Sequence, residues 1–190
     1  AASTDAQKEE MEQGVGNYKT WQKITEDKVI TPDELKRWEK KSSSFREGFD
    51  EFQVNYEKVE GMLKDGVITP EEKEEYDQLG TAYGMERVAC GQQKRSRIDE
   101  MLKDGVITPE ERVEYELMDT AYGREAVNEG EQNFSDVEDR LKGEITDEDI
   151  EDFEKRNITY GRERVNARRQ FTKDAHKYID EALADGEIDD

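Results

Sequence analysis

Histidine and cysteine are almost missing from this chain: His176 and Cys90 stand alone in 190 residues. A zinc or haem site built on clusters of such ligands is excluded, and a lone cysteine closes no internal disulfide. Cys90 falls among positions of apolar spacing and is expected to be a small buried side chain. His176, beside Lys173, Asp174 and Lys177, is expected at the surface. Proline occurs 3 times and glycine 14 times, too seldom for a loop-rich chain. No apolar run nears the roughly 20 residues that span a bilayer, so neither a membrane span nor membrane binding is expected. The chain has no nucleophile elbow, phosphate-cradling glycine loop or His-containing triad. Catalysis by paired carboxylates needs a concave, partly dry pocket, and polar helices offer little sign of one. The expectation is therefore a non-enzyme without cofactor or metal.

Charge is what the chain has in abundance. Charged residues make up 42% of it, hydrophobic residues only 32%, and the net charge is −21. Residues 1–107 hold 24 acidic against 17 basic side chains, or −7, leaving −14 for residues 108–190. Such a balance opposes direct contact with nucleic acid or anionic lipid, whose binding rests on Lys and Arg neutralising phosphates. It favours solubility and basic protein partners. The opening AASTDAQ, without a Met, suits a secreted or otherwise processed form and leaves the compartment open.

The stretch MLKDGVITPEE occurs twice, at 62–72 and 101–111. It belongs to a longer series: DKVITPDE, DGVITPEE twice, KGEITDED and a final DGEIDD. The marker isoleucines Ile30, Ile68, Ile107, Ile145 and Ile188 are spaced by 38, 39, 38 and 43 residues. Between them recur TAYG, TAYG and ITYG, with Tyr83, Tyr122 and Tyr160 each followed by glycine. A fixed period of this length marks one supersecondary unit used repeatedly. The last turn reads either as an atypical terminal repeat or as part of a longer array.

Residue by residue, the turn is a helix stop joined to a helix start. Gly66 suits the left-handed position past a helix, with Val67 folding back on Met62. Thr69 is an N-cap, Pro70 fits the first helical position, and Glu72 completes a capping box. Ile30 with Leu35, and Ile145 with Ile150, have the spacing of hydrophobic staples. The turn also resembles part of an EF-hand calcium loop: with Gly66 at the sixth place, Ile68 and Glu72 fall at the eighth and twelfth. The first and third places are then Gly61 and Leu63, and in the next copy Glu100 and Leu102, so oxygen ligands are short. Shared helix-turn-helix mechanics account for the likeness, and calcium is not expected.

Apolar residues between turns recur at three-and-four spacing, as in Leu35, Trp38, Phe45, Phe49, Phe52, Tyr56, Val59 and Leu63, or Tyr115, Met118, Tyr122, Ala126, Phe134, Val137 and Leu141. The stripe runs in phase through the TAYG sites, where no capping box interrupts it, so continuous or kinked helices are expected there. The fold read from this is all-α: an elongated antiparallel bundle of about five long helices, each about 50 Å long at a rise of 1.5 Å per residue. It is built from 38–39-residue repeats joined by tight DGxIT(P)EE turns near 27–33, 65–71, 104–110, 142–148 and 185–190, and forms a single helical-repeat domain over 1–190.

Two sets of residues are candidates for interaction. Tyr83, Tyr122 and Tyr160 would fill seams with their hydroxyls at the rim while the glycines admit a neighbouring helix, or would receive a partner's side chain. Arg162, Arg169, Lys173 and Lys177, spaced by seven, four and four, share a helix face. They would meet acidic neighbours such as Glu125, Glu129, Asp136 and Glu138, or else a phosphate. The favoured function is a rod-like helical-repeat scaffold or spacer acting through protein–protein contact, with self-association open to it. The alternative is an acidic inhibitor that imitates nucleic acid in the basic groove of a nuclease or DNA-binding protein.

Overall fold

The computed structural model describes residues 2–40, 49–143 and 145–184. Phe45 and the final DGEIDD turn lie outside the described residues. The rest is helical, with no strand among the described residues: α1 (Ala2–Ile24), α2 (Pro32–Glu39), α3 (Phe49–Met62), α4 (Pro70–Leu79), α5 (Met85–Met101), α6 (Pro109–Leu117), α7 (Arg124–Lys142), α8 (Asp147–Lys155) and α9 (Thr159–Ala184). By its internal contacts the chain parts into two compact units, residues 1–95 and 96–190, each taken by itself below.

The short helices begin as the sequence predicts. Thr31, Thr69, Thr108 and Thr146 are extended N-caps of α2, α4, α6 and α8, and each closes a full capping box with Glu34, Glu72, Glu111 or Asp149. Each box satisfies two of the free N–H groups at a helix start. Ahead of the cap, Asp27, Asp65 and Asp104 each accept the N–H of the residue two places on, at 3.1–3.2 Å. Gly66 and Gly105 take φ of 80° and 83°, the left-handed region that suits glycine. The glutamate of the would-be calcium loop faces the cap instead: Glu72 Oε2 accepts the Thr69 N–H at 2.8 Å.

The five long helices expected from the stripe do not form. Both TAYG sites break the helix, between Leu79 and Met85 and between Leu117 and Arg124. Gly80 and Asp119 enter these breaks with φ of 59° and 49°, and Gly84 and Gly123 leave with 73° and 70°. Inside the break, Thr81 and Thr120 accept the N–H two residues on through their hydroxyls, at 3.0 and 3.1 Å. Tyr76 and Tyr115, from the preceding short helices, donate their hydroxyls forward to the carbonyls of residues 81 and 83 and of 120 and 122. These bonds replace helical ones for the released backbone groups. At ITYG a lone left-handed Asn157, φ 56°, separates α8 from α9.

The breaks reset the apolar phase. Val88 and Val127 are buried, whereas Ala126, expected in the seam, is exposed. Leu117, ahead of a break, is 82% exposed. Cys90 is likewise exposed, two residues and so about 200° round the helix from Val88. His176 lies at the surface, as expected.

In the first unit one cluster gathers Ile30, Trp38 and Phe49 with Trp21 and Leu35 beside them, and a second gathers Val59, Met62, Ile68, Tyr76 and Val88. In the second unit Val106, Val137, Phe153, Ile158 and Val165 form a core, with Ile145 and Ile150 against it. Each cluster joins a turn to the helices on either side, which is how a repeat closes locally.

Candidate functional site

Two contacts recur with the period of the sequence, one made by the turns and one by the TAYG segments. In the first, a Val–Ile pair of a turn lies against a glycine inside the next long helix. A Cβ on Gly91 would stand 2.8 Å from Ile68 Cγ1 and 3.2 Å from the Ile68 nitrogen. On Gly130 it would stand 2.7 Å from Ile107 Cγ1 and 3.1 Å from the Ile107 nitrogen. Only glycine admits an extended strand of backbone so close to a helix. Asn133 Nδ2 donates to the Gly105 carbonyl at 2.8 Å beside this seat, and Asn55 Nδ2 donates to the Lys28 carbonyl at 2.9 Å beside the first turn. Sequence reasoning missed these glycines. The available signal was their spacing of 39 residues, one repeat, at helix-interior positions where glycine costs about 1 kcal/mol without a packing reason.

The second contact latches each TAYG segment to the preceding long helix. Cβ atoms on Gly84, Gly123 and Gly161 would come within 3.1 Å of Val59, Ile98 and Val137 respectively. Next to those residues stand the acids that accept the tyrosine hydroxyls: Tyr83 to Glu60 at 2.8 Å, Tyr122 to Asp99 at 2.8 Å, and Tyr160 to Glu138 at 3.0 Å. All three tyrosines are half-buried. Arg87 bonds Glu60 at 2.6 Å and lies over the Tyr83 ring, 5.3 Å from its centre. Arg164 stands in the same relation to Glu138 and Tyr160, at 3.5 and 6.0 Å. In the middle copy that position is Ala126. Tyr83 and Tyr160 also meet Tyr56 and Phe134 with ring centres 5.5 and 5.8 Å apart.

The electrostatics follow from these contacts. The hydrogen bond from Arg87 holds the Glu60 carboxyl below the usual carboxylate range. Burial, reinforced by the bond to Glu60, pushes the Tyr83 hydroxyl up to about 12. Burial also raises Tyr160, again with its acid's help. The Tyr83 and Tyr160 hydroxyls are thus donors to carboxylates of the preceding helix.

The basic residues of α9 meet different neighbours. Arg169 meets Asp147 at 2.9 Å, and Lys177 meets Glu181 at 3.8 Å. Arg162 keeps its Nε buried. Of the acidic neighbours expected for them, Asp136 pairs with Arg140 and Arg156, and Glu138 with Tyr160 and Arg164. Arg169 and Lys173 do share an open cleft of about 410 Å³ with Arg168, Thr172, His176, Gly143 and Ile145. Arg168 is 23 residues after Ile145, as Gly91 is after Ile68 and Gly130 after Ile107. Ile145 is half-buried where Ile68 and Ile107 are buried.

Among the described residues no group of three or more His, Cys, Asp and Glu side chains is placed to hold a metal ion. No described helix is long and apolar enough to cross a membrane. Compared with protein-family models, with curated proteins and with solved structures, the chain matches none.

Proposed function

We propose that the chain is a non-enzymatic helical-repeat protein that works as a scaffold or spacer through protein–protein contact. The observation that carries this reading is the repeated seat: Val67–Ile68 on Gly91, and Val106–Ile107 on Gly130. The recurrent polar groups serve the same end. Capping boxes start the short helices, and the tyrosine hydroxyls donate to carboxylates of the preceding helix. Function is then left to the surfaces between these contacts, where acidic side chains outnumber basic ones and suit basic protein partners. Such arrays grow by nearest-neighbour contact into extended bodies, so the proposal includes a single elongated array over residues 1–190. Small-angle scattering tests it: a distance distribution skewed to long vectors is expected, and a symmetric one of globular width would refute the elongated form.

Imitation of nucleic acid is the second reading, and the −14 of residues 108–190 is what favours it. Against it, Arg97, Arg112, Arg140 and Arg156 sit in ion pairs among those carboxylates, which breaks the unbroken acidic face that a mimic needs. Competition with duplex DNA for a basic protein separates the two: mimicry requires displacement that weakens as salt rises.

A further inference from the structure

The cleft between the fourth turn and α9 has a basic lining in an acidic chain. Residues 162–177 hold six basic side chains against two acidic ones, Glu163 and Asp174, whereas the whole chain carries −21. Arg168, Arg169, Lys173 and His176 line the cleft from α9, and Gly143 and Ile145 line it from the turn. No acid is among the described lining residues; Glu144, between the two turn residues in sequence, lies outside the described residues. Arg169 is engaged by Asp147 at 2.9 Å, and the Thr172 hydroxyl donates to the Arg168 carbonyl at 3.1 Å. Arg168 and Lys173 have no acid paired with them among the described residues. Their charges therefore point into the cleft's solvent without a carboxylate to offset them.

The spacing of these cations selects the shape of an occupant. Lys173 lies five residues beyond Arg168 and His176 eight, which sets them about 7.5 and 12 Å along the helix axis. Alternate side chains of an extended peptide point the same way about 7 Å apart, so three of them span about 13 Å. The side chains between them point to the opposite side, where the half-buried Ile145 presents apolar surface. Turn backbone is also what the equivalent helix positions receive in other repeats, Val67–Ile68 at Gly91 and Val106–Ile107 at Gly130.

We infer that this cleft docks an extended acidic segment of another protein, with carboxylates at alternate positions on Arg168, Lys173 and His176 and apolar side chains between them on Ile145. Arginine holds a carboxylate through two parallel N–H donors, and lysine through its charge. Local charge opposite in sign to the rest of the chain steers such a segment to this face. The inference rests on the protein–protein reading and adds the class of one partner. Its failure leaves the scattering test of the array untouched, so the two are judged separately.

Fluorescence anisotropy with the full chain at pH 7 tests it, using a labelled peptide whose core alternates three glutamates with two valines. Binding is expected that weakens as salt rises from about 0.01 to 0.15 M. Arg168→Glu and Lys173→Glu should each weaken it about tenfold. Lys64→Glu, at an exposed site with the same change of charge, is the control and should bind as the wild type does. A peptide of the same composition with its glutamates consecutive should bind at least about threefold more weakly, because its acids no longer share one side. No binding by the wild type at either salt, binding indifferent to both cleft variants, or equal binding of the two peptides would overturn the inference. So would inorganic triphosphate or a short single-stranded oligonucleotide binding more tightly than the peptide and losing affinity in Arg168→Glu, since that marks a phosphate site.

Discussion

Removing one hydroxyl tests how the TAYG break is held. Tyr76 is 5% exposed, and its hydroxyl lies 3.1 Å from the Thr81 carbonyl and 2.9 Å from the Tyr83 carbonyl. Phenylalanine fills the same ring volume within the cluster of Val59, Met62, Ile68 and Val88, so Tyr76→Phe perturbs hydrogen bonding with little change in packing. Two carbonyls lose their donor, one of them belonging to the buried Thr81. An unsatisfied buried acceptor costs about 1–3 kcal/mol, and partial rehydration at the half-buried Tyr83 end places the expected loss near 1.5 kcal/mol. With a urea m-value of about 2 kcal/mol/M, the unfolding midpoint should fall by about 0.7 M. Amide hydrogen exchange supplies the local readout: the Tyr83, Met85 and Val88 amides, bonded to Thr81 Oγ1 and to the carbonyls of Ala82 and Gly84, should exchange faster. Tyr178→Phe, at a site 68% exposed, is the control and should lie within about 0.5 kcal/mol of wild type. A Tyr76→Phe chain as stable as that control, with unchanged exchange at 83–88, would refute the tyrosine's part in the break.

Further tests bear on the caps and on titration. Thr69→Ala removes the side chain that accepts the Glu72 N–H at 3.1 Å and should cost about 1 kcal/mol in urea unfolding, with Thr69→Ser recovering most of it. No loss from the alanine variant would count against the capping box as a stabilising element. Tyr83 should ionise near 12 against about 10 when unfolded. An acid raised in the folded state contributes its full stability below pH 10 and loses it as pH climbs from about 10 to 12. A spectrophotometric titration should therefore show Tyr83→Phe removing a late-ionising phenol and lessening the alkaline loss of stability. Removal of a group that ionises near 10 would contradict the assignment.

The turns were legible in the sequence because their signals are local. A Thr–Pro–Glu–Glu start and an Asp–Gly stop specify their own backbone, and the left-handed Gly66 and Gly105 and all four capping boxes follow from residues within four places of one another. The TAYG break was not legible in those terms, because its bonds run at other spacings. Thr81 accepts from a residue two places on, and the Tyr76 hydroxyl comes from five and seven places back. A usable signal was present: Gly80, Asp119 and Asn157, the residues just ahead of TAYG, TAYG and the Ile of ITYG, belong to the three types that most readily adopt positive φ, and all three do. The interaction residues divide in the same way. Tyr83, Tyr122 and Tyr160 have equivalent positions in their repeats, so one reading served all three. The charged face of α9 was drawn from helical spacing, which says which side chains share a face and does not fix the acids they meet: Asp136 and Glu138 pair with other side chains. The seat glycines needed the period of the repeat and the rarity of helical glycine to be considered together.

If a turn isoleucine seated on a helical glycine is what joins one repeat to the next, Ile107 and Gly130 should be energetically coupled, and a double-mutant cycle at the two measures that coupling. Gly130→Ala should destabilise despite the gain of about 1 kcal/mol in helix propensity, because its Cβ would lie 2.7 Å from Ile107 Cγ1. In an Ile107→Ala background that overlap is absent, and the same substitution should become less costly, with a coupling energy of about 1 kcal/mol or more. Effects that add to within about 0.3 kcal/mol, or a Gly130→Ala chain more stable than wild type, would contradict it.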